Sequence, residues 1–155
     1  MPTPVLRVLR LDPRAELPRY HSGQAAGLDL AACLPEGQPA LTIEPGRIAM
    51  VRTGVAVAIP EGYEGQVRPR SGLASRHGVT LPNSPGTIDA DYRGEVMVPL
   101  INHGREPFTI EHGMRIAQMV VAPVTHVEVR TVESLDGTER GTGGFGSTGV
   151  SAPAR

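Results

Sequence analysis

The sequence predicts an all-β sandwich or barrel, and three features of its composition carry that prediction. Nineteen glycines and fifteen prolines recur at short intervals and leave no long stretch of helical period free of breakers. Aromatic residues make up only 3% and tryptophan is absent, so valine, isoleucine, leucine and alanine must build the core. The 155 residues are enough to bury one core and too few to favour two. We therefore expect one β domain.

Short apolar runs separated by turn residues give the strands that we expect. In chain order they are Val5 to Leu9, Leu28 to Cys33, Leu41 to Ile43, Ile48 to Ile59, Glu64 to Val67, Glu95 to Ile101, Phe108 to Ile110, Ile116 to Val121 and Val127 to Val132. Most of the gaps hold proline, glycine or asparagine, which supply the fixed or positive φ that chain reversals need. No internal repeat is evident.

One short helix is expected, and the composition changes near the C-terminus. Ser71 to His77 reads as a helix that Gly78 caps at its C-terminal end. After Leu135 the chain becomes too glycine-rich to bury a core, so we expect it to be mobile unless a ligand holds it. We therefore divide the chain into residues 1–135, the β domain, and residues 136–155, a flexible arm.

Charge and targeting signals exclude several classes of function. The net charge of -1 provides no electrostatic footprint for nucleic acid or for an anionic membrane. The N-terminal residues contain no apolar signal region, and no window reaches membrane-spanning length. Cys33 is the one cysteine, so disulfides within the chain are impossible, and an inert buried thiol is expected. We expect a soluble, cytoplasmic protein.

The segment Leu81 to Glu95, LPNSPGTIDADYRGE, is the most informative part of the chain. Its proline and glycine pairs and its alternation predict a strand, a turn and a second strand, a hairpin that folds into a pocket. Backbone groups and the Asn83 amide would read the edge of a small planar ligand, while Tyr92 offers a ring face and Asp89 a proton acceptor. The alternative is an ordinary polar hairpin.

Three other segments carry polar groups that suit a bound anion or a metal ion. Pro69-Arg70-Ser71-Gly72 lies where a strand ends and the short helix begins, which suits a phosphate oxygen, although a serine cap with a solvent-facing arginine is the alternative. Gln118 on a later strand either donates to an anion or pairs locally. Asp29, between two leucines, is either a structural hydrogen-bond hub or part of a metal-water shell.

The glycine-rich tail from Arg140 to Gly149, RGTGGFGSTG, combines groups that suit a nucleotide. Glycine-rich backbone wraps phosphates, Arg140 clamps an anion and Phe145 stacks on a base once the segment closes. The tail lacks the Lys-Ser/Thr pair of a P-loop, and a disordered linker is the alternative. The five histidines show no zinc-binding spacing.

Five segments in this order resemble the five motifs of the trimeric deoxyuridine triphosphatase (dUTPase) family: AGLDL at 26–30, PRSGLA at 69–74, the Leu81 to Glu95 segment, RIAQM at 115–119 and RGTGGFGSTG at 140–149. The resemblance implies a distorted jelly-roll β-barrel assembled as a homotrimer, with active sites at subunit interfaces and the C-terminal arm closing over them. It implies hydrolysis of dUTP to dUMP and pyrophosphate with Mg²⁺. That reaction supplies dUMP for thymidylate synthesis and keeps uracil out of DNA.

The resemblance also implies a role for each matching residue. Asp89 is the implied general base, which orients and deprotonates a water for attack on the α-phosphorus. Tyr92 stacks under the deoxyribose, Phe145 covers the uracil, and Asp29 acts on Mg²⁺ through water. Asn83 reads uracil together with backbone at Gly86, Thr87, Ile88 and Met97. The implied phosphate-binding residues are Arg70, Ser71, Gly72, Gln118 and, from the arm, Arg140, Gly144, Gly146 and Ser147.

Two alternative functions remain open on the sequence. A dCTP deaminase shares the barrel and the trimer, but those enzymes carry a glutamate as proton shuttle where this chain has Val98-Pro99-Leu100. A non-catalytic jelly-roll trimer that binds nucleotide is the other alternative, since a fold alone does not determine function. Asp89 beside Tyr92 argues against that second alternative.

Overall fold

The computed structural model describes residues 3–147 and 149, and its contacts divide the chain into two units, Met1–Thr125 and His126–Arg155. All named strands and the helix lie in the first unit. They are β1 Arg7–Arg10, β2 Leu28–Ala31, β3 Ala40–Ile43, β4 Ile48–Ala58, β5 Tyr63–Pro69, α1 Ser71–His77, β6 Val79–Thr80, β7 Gly86–Ile88, β8 Glu95–Asn102, β9 Phe108–Glu111 and β10 Arg115–Pro123. The expected all-β class is confirmed.

Two four-stranded sheets and one two-stranded sheet form the first unit. Their strand orders are β1-β4-β8-β6, β2-β10-β5-β7 and β3-β9, and every pair is antiparallel. Strands that are distant in sequence therefore lie side by side, as the jelly-roll class requires. The unit that ends at Thr125 is ten residues shorter than the expected domain 1–135, whose boundary stays a prediction.

The core lies between the sheets and is built from aliphatic side chains. Val98, Leu100, Ile110, Ile116 and Met119 are almost fully buried and belong to one cluster. In β8, buried residues alternate strictly with half-buried ones, as expected for a strand with one face on the core. Truncating such a side chain to alanine costs about 2–5 kcal/mol, so these positions hold the sheets in place.

The helix prediction is confirmed, and the cap has the expected geometry. Gly78 follows α1 with φ 68 and ψ 14, and its N–H donates to the carbonyls of the last helical turn. Glycine adopts this left-handed conformation without strain, so the chain reverses there into β6. The pair Val79–Thr80 is a strand that the sequence reading did not predict.

One predicted strand is wrong. Val127 to Val132 alternates apolar and polar residues, yet it forms no strand, and its three valines are exposed. A period-two pattern specifies a strand only where a neighbouring strand accepts its hydrogen bonds. Within the part of the chain that the structure describes, no helix is long and apolar enough to cross a membrane.

An ion pair near the N-terminus flanks a small buried cluster of Ala15, Cys33 and Val55. The Arg14 guanidinium donates to the Asp12 carboxylate at 2.7 Å, and the Arg14 backbone N–H donates to it at 2.9 Å. These two hydrogen bonds lower the pKa of Asp12 from 3.8 to about 2. Cys33 is buried, as predicted, and burial raises the pKa of its thiol. The thiol is thereby kept protonated and inert.

Candidate active site

The segment Leu81 to Glu95 does not form a hairpin. Its first strand, β7, pairs with β5, while the strand that follows, β8, pairs with β4 and β6 in the other sheet. The predicted strand, turn and strand are present, but the expected pairing between them is wrong. The segment crosses from one sheet to the other, and the pocket that it forms is walled by both.

We call this pocket the inter-sheet cavity; its volume is about 200 Å³. Its lining residues come from β5, β7, β8 and the connecting segment: Val67, Leu81, Asn83, Gly86, Thr87, Ile88, Asp89, Tyr92, Glu95, Val96, Met97 and Pro99. The structure thus brings together every residue of this region for which we predicted a role. Half of the lining is aliphatic, and the polar groups converge on it from the connecting segment.

Sequence reasoning missed Glu95 and Pro99 as lining residues. Both lie on β8, where Glu95, Met97 and Pro99 are half-buried and alternate with the buried core residues. Met97 was predicted to line the pocket, so the period of two along this strand was the signal that pointed to its neighbours.

Asn83 reaches the inter-sheet cavity beside Gly86. A Cβ built on Gly86 would lie 3.1 Å from the Asn83 Nδ2 atom, closer than most such contacts allow. The glycine therefore leaves room for the amide at the cavity wall. Asn83 then offers both a donor and an acceptor to a bound molecule.

Asp89 and Tyr92 are joined by one backbone hydrogen bond at the rim of this cavity. The Tyr92 N–H donates to the Asp89 carbonyl at 3.1 Å, and the Tyr92 hydroxyl donates to the Glu95 carbonyl at 3.0 Å. The Asp89 side chain is exposed at the surface of the cavity. The structure thus places an exposed carboxylate and a hydrogen-bonded aromatic ring beside an apolar pocket.

A second pocket, the arginine cavity, has a volume of about 440 Å³ and is lined by Asp29, Arg70, Ser71, Gly72, Leu73, Arg76, His77 and Gln118. It contains every residue outside the arm for which we predicted phosphate or metal contacts. Arg76 and His77 were not predicted. They lie four residues after Gly72 and Leu73 on the same helix. Residues four apart are neighbours on a helix surface, so this spacing could have predicted that they line the same cavity.

Ser71 does not cap the helix, so the predicted alternative of a serine cap is wrong, while the Arg70 side chain is partly exposed, at 30%. Arg70 occupies the N-cap position and makes no side-chain cap, and Ser71 is the first helical residue. The Arg70 guanidinium donates to the Arg115 carbonyl at 3.1 Å, and its Nε lies 3.5 Å from the Asp29 carboxylate. The hydroxyl of Ser71 remains available to a ligand.

Asp29 is a hydrogen-bond hub. Its carboxylate, with 15% of the side chain exposed, accepts a hydrogen bond from Arg115 at 2.9 Å and lies 3.5 Å from both Arg70 and His21. Three basic partners offset the cost of placing an acid at the head of a buried strand. Among residues 3–147 and 149, no three His, Cys, Asp or Glu side chains gather into a metal-binding group.

Gln118 is fixed in the arginine cavity by a close approach to Gly27. A Cβ on Gly27 would lie 2.5 Å from the Gln118 Oε1 atom, so a larger residue there would displace the amide from its present position. The Gln118 Nε2 donates to the Pro69 carbonyl at 3.0 Å. The amide is therefore held next to the Pro69-Arg70 peptide at the wall of the cavity.

The second unit carries the predicted arm residues, and it is described by itself. The Arg140 Nε donates to the Gly143 carbonyl at 2.8 Å, and tight turns follow in which Ser147 donates to Gly144 at 3.0 Å. Phe145 is fully exposed with a φ of 48. Gly146 lies in this turn, and Thr148 of the same motif lies outside the described residues.

The chain is similar in sequence to known proteins. A family model described as dUTPase matches residues 13–149. The chain is 58% identical over 149 residues to a deoxyuridine 5'-triphosphate nucleotidohydrolase of Syntrophotalea carbinolica, covering 96% of this chain and 99% of that relative.

Two solved structures share the fold along most of the chain. The dUTPase of Staphylococcus bacteriophage 80alpha with dUPNHPP superposes with a TM-score of 0.83 at 30% identity, covering 94% of this chain and 99% of the other. A mutant dUTPase from phage phi11 of S. aureus, in which a structural Mg(II) ion is coordinated, has a TM-score of 0.74 at 27% identity and covers 84% of this chain and 97% of the other.

Proposed function

Because the chain belongs to the dUTPase family, we propose that it hydrolyses dUTP to dUMP and pyrophosphate, with the inter-sheet cavity reading the nucleoside and the arginine cavity holding the phosphates. The observation that carries the proposal is the inter-sheet cavity itself. It places an amide, backbone groups, an aromatic ring and a carboxylate around an apolar pocket of about 200 Å³; the first three suit deoxyuridine, and the carboxylate suits the attacking water.

Uracil is read by shape and by hydrogen bonds. The Asn83 amide and the backbone of Gly86 to Ile88 line the cavity and meet the polar edge of the base. A wall made largely of backbone and core aliphatics cannot move aside, so the 5-methyl group of thymine is excluded by overlap. Met97 completes the wall.

Tyr92 discriminates the sugar. Its ring lies at the rim of the inter-sheet cavity and its hydroxyl is bonded to the Glu95 carbonyl, so the ring stands at a fixed position under the deoxyribose. A 2′-hydroxyl on that face would overlap with the ring. UTP is therefore rejected by steric exclusion.

Asp89 is the general base. It orients one water for in-line attack on the α-phosphorus and accepts its proton as the bond to the pyrophosphate oxygen breaks. Its exposed position at the rim leaves room for that water between the carboxylate and the phosphate. One carboxylate accounts for only part of the acceleration, so positioning and charge neutralisation supply most of it.

The arginine cavity holds the phosphates through Arg70, the Ser71 hydroxyl, the Gly72 backbone and the Gln118 amide. A guanidinium grips phosphate oxygens in pairs, and open space lies beside Gly72, where a Cβ would meet nothing within 4 Å. Negative charge that develops on the leaving pyrophosphate meets these fixed donors. The cavity therefore favours the transition state over the ground state.

The donor set of the arginine cavity fits Mg²⁺ held through water. Asp29 is the one carboxylate that lines it, and that carboxylate is already bonded to Arg115. Mg²⁺ keeps several waters and commonly binds through few protein ligands together with substrate phosphates. Asp29 would then hold a water of the ion rather than the ion itself, and the ion would supply charge neutralisation to the triphosphate.

The arm and a homotrimer complete the proposed site. Arg140 and the backbone of Gly144, Gly146 and Ser147 would close on the γ-phosphate, and Phe145 would cover the uracil ring. A fully exposed phenylalanine at positive φ supports this role, because such a side chain gains most from a ligand surface. Exposed Val5, Leu9, Ile48 and Met50 support an apolar subunit interface. The cytoplasmic location stays a prediction.

The deaminase alternative is not favoured. Val98 and Leu100 are buried in the core, and Pro99 lines the inter-sheet cavity, so no carboxylate stands at the position of the proton shuttle. The family model and the relatives above are dUTPases. A protein that only binds nucleotide would not need the Asp89 carboxylate at the rim of the pocket, which argues against the non-catalytic alternative.

Incubation with dUTP, and separately with dCTP, in the presence of Mg²⁺ tests the proposal. Pyrophosphate and dUMP from dUTP alone are expected. Ammonia from dCTP would establish the deaminase instead, and binding without turnover would establish a nucleotide-binding protein. A mass measurement on the same sample reports whether three chains assemble.

A further inference from the structure

We infer that Glu95 is a positioning residue that fixes the sugar-discriminating wall of the inter-sheet cavity, so that its carboxylate sets the preference for deoxyribose over ribose. The inference rests on the proposed function, and it concerns a residue to which neither the motifs nor the comparisons give a role. Glu95 is the first residue of β8 and lines the cavity.

The Glu95 carboxylate is held by two groups of the neighbouring strand. Its Oε1 accepts a hydrogen bond from the Gly54 N–H at 2.8 Å, and both of its oxygens accept from the Arg52 Nε at 3.2 Å. The side chain is only 19% exposed. A charged, largely covered carboxylate with both oxygens bonded is a fixed element of the wall rather than a solvated surface group.

These bonds secure an irregular stretch of β4. Arg52 pairs with Met97 and Ala56 with Glu95, and the register shifts between these pairs. A backbone N–H in such a bulge loses its ladder partner, and the Glu95 side chain replaces that partner for Gly54. The start of β8 is thereby fastened to β4 at the edge of the cavity.

The bulge itself has little freedom to change. Gly54 has a φ of 69, and a Cβ there would lie 2.7 Å from Ala15 and 2.8 Å from the Cys33 sulfur. Packing on that side fixes Gly54, so its N–H is a stationary anchor for the carboxylate. The Gly54 N–H thereby fixes the position of the Glu95 carboxylate.

The backbone of Glu95 in turn holds Tyr92. The Tyr92 hydroxyl donates to the Glu95 carbonyl at 3.0 Å, and the ring passes so close to Gly94 that a Cβ there would overlap with the hydroxyl. The ring is 44% exposed, so this hydrogen bond is its main restraint. A Glu95 carbonyl that shifts would carry the ring with it.

The chain of contacts therefore runs from Gly54 and Arg52 through Glu95 to Tyr92. Loss of the carboxylate frees the start of β8, and the Tyr92 ring gains room to move away from the sugar. Discrimination against UTP then falls, while Asp89 and the phosphate-binding residues keep their own contacts. Glu95 acts through Tyr92 and touches no reacting atom.

The experiment measures kcat/KM for dUTP and for UTP in wild type, Glu95→Ala, Glu95→Gln and the surface control Glu61→Ala. Glu95→Ala should lower the dUTP-to-UTP ratio by about tenfold, the factor that one lost hydrogen bond to a charged group is worth. Glu95→Gln keeps an oxygen for the Gly54 N–H and should stay within about threefold of wild type. Glu61 is exposed in the turn before β5, and its variant should keep the wild-type ratio.

General loss of structure would lower both kcat/KM values together and leave their ratio unchanged. If Glu95→Ala does not fold, Glu95→Asp replaces it, because the shorter side chain keeps the charge and draws back from Gly54; the same fall in the ratio is expected. An unchanged ratio in the folded variant overturns the inference. Wild type that does not hydrolyse dUTP would instead overturn the proposed function, so the two failures are distinct.

Discussion

The two cavities of the Met1–Thr125 unit differ in how their shape is set. The inter-sheet cavity is bounded by strands of both sheets and by core aliphatics, and the Tyr92 and Glu95 side chains that line it are bonded to backbone groups. The arginine cavity is larger and is bounded by charged side chains that hold one another in place around Asp29. In the proposed function, one pocket selects by steric fit and the other attracts by charge.

The two cavities should therefore respond differently to the substitution of one side chain. A pocket walled largely by backbone keeps most of its shape when a lining side chain is replaced, with Glu95 as the exception because its carboxylate fixes part of the wall; variants there should alter chemistry or selectivity. A pocket built from side-chain ion pairs loses its geometry when one partner is removed, so variants there should alter affinity.

Asp89→Asn should have the largest effect. The amide keeps the size of the side chain but accepts no proton, so kcat should fall by about 10²- to 10⁴-fold, the range of general-base catalysis. The dissociation constant for dUTP, measured by calorimetry, should change by less than about threefold. Asp91→Asn, an exposed neighbour that lines neither cavity, is the control. A large rise in the dissociation constant would mean that Asp89 binds substrate rather than water.

Truncation after Leu135 tests whether the two cavities suffice without the arm. Loss of the Arg140 contacts should lower kcat/KM by about 10- to 100-fold, as for a charge-assisted bond of about 1.5–3 kcal/mol. The number of chains per oligomer, calculated from the mass in solution, should stay that of the full chain. Turnover equal to that of the full chain would remove the arm from the mechanism.

Arg70→Gln should weaken the arginine cavity alone. The variant loses the contact with Asp29 and the paired grip on phosphate, so KM for dUTP should rise by about tenfold or more, while the dUTP-to-UTP ratio stays constant. Arg68→Gln is the matched control, because Arg68 is exposed on β5 and bonds to Gln66. A shift in the sugar ratio would show that the cavities are not independent.

Gly27→Ala should have a smaller effect on the same cavity. The added methyl group overlaps with the Gln118 amide, which must swing away, so KM should rise by about three- to tenfold, the value of one hydrogen bond. Gly23→Ala, where a Cβ meets nothing within 4 Å, should match wild type. Equal KM values in the two variants would show that Gln118 does not bind substrate.

The smallest effect concerns an ion pair outside both cavities. Arg14→Gln should return the pKa of Asp12 from about 2 toward 3.8, which an NMR titration of that carboxyl measures. Because the folded pKa is depressed, the stability that the pair contributes is present above 3.8 and is lost as the pH falls toward 2. Turnover near neutral pH should be unaffected. An unchanged titration would mean that Arg14 does not set the pKa.

Much of the fold could be predicted because its signals are local. The helix Ser71–His77 and its Gly78 cap follow from turn chemistry and period, and most strands follow from apolar runs. The predicted strand Val127 to Val132 is wrong because a pattern within one segment does not supply a partner strand. The hairpin was wrong for the same reason, since β7 and β8 find their partners in β5 and β4.

The members of the site could be predicted better than their contacts. The motifs supplied Asp89, Tyr92 and Asn83, and the structure places all three on one cavity. The approach of Gln118 to Gly27 and the bond from Arg115 to Asp29 join residues far apart in sequence. Such contacts depend on strand register, which the sequence of one strand does not determine.

The measurement that tests the central claim most directly is hydrolysis of dUTP in ¹⁸O-labelled water. The α-phosphorus is where the nucleoside, read by the inter-sheet cavity, joins the phosphates held by the arginine cavity. Attack there by the water that Asp89 orients puts the label in dUMP and leaves the pyrophosphate unlabelled. Label in the pyrophosphate would place the attack on the β-phosphorus and would contradict the account.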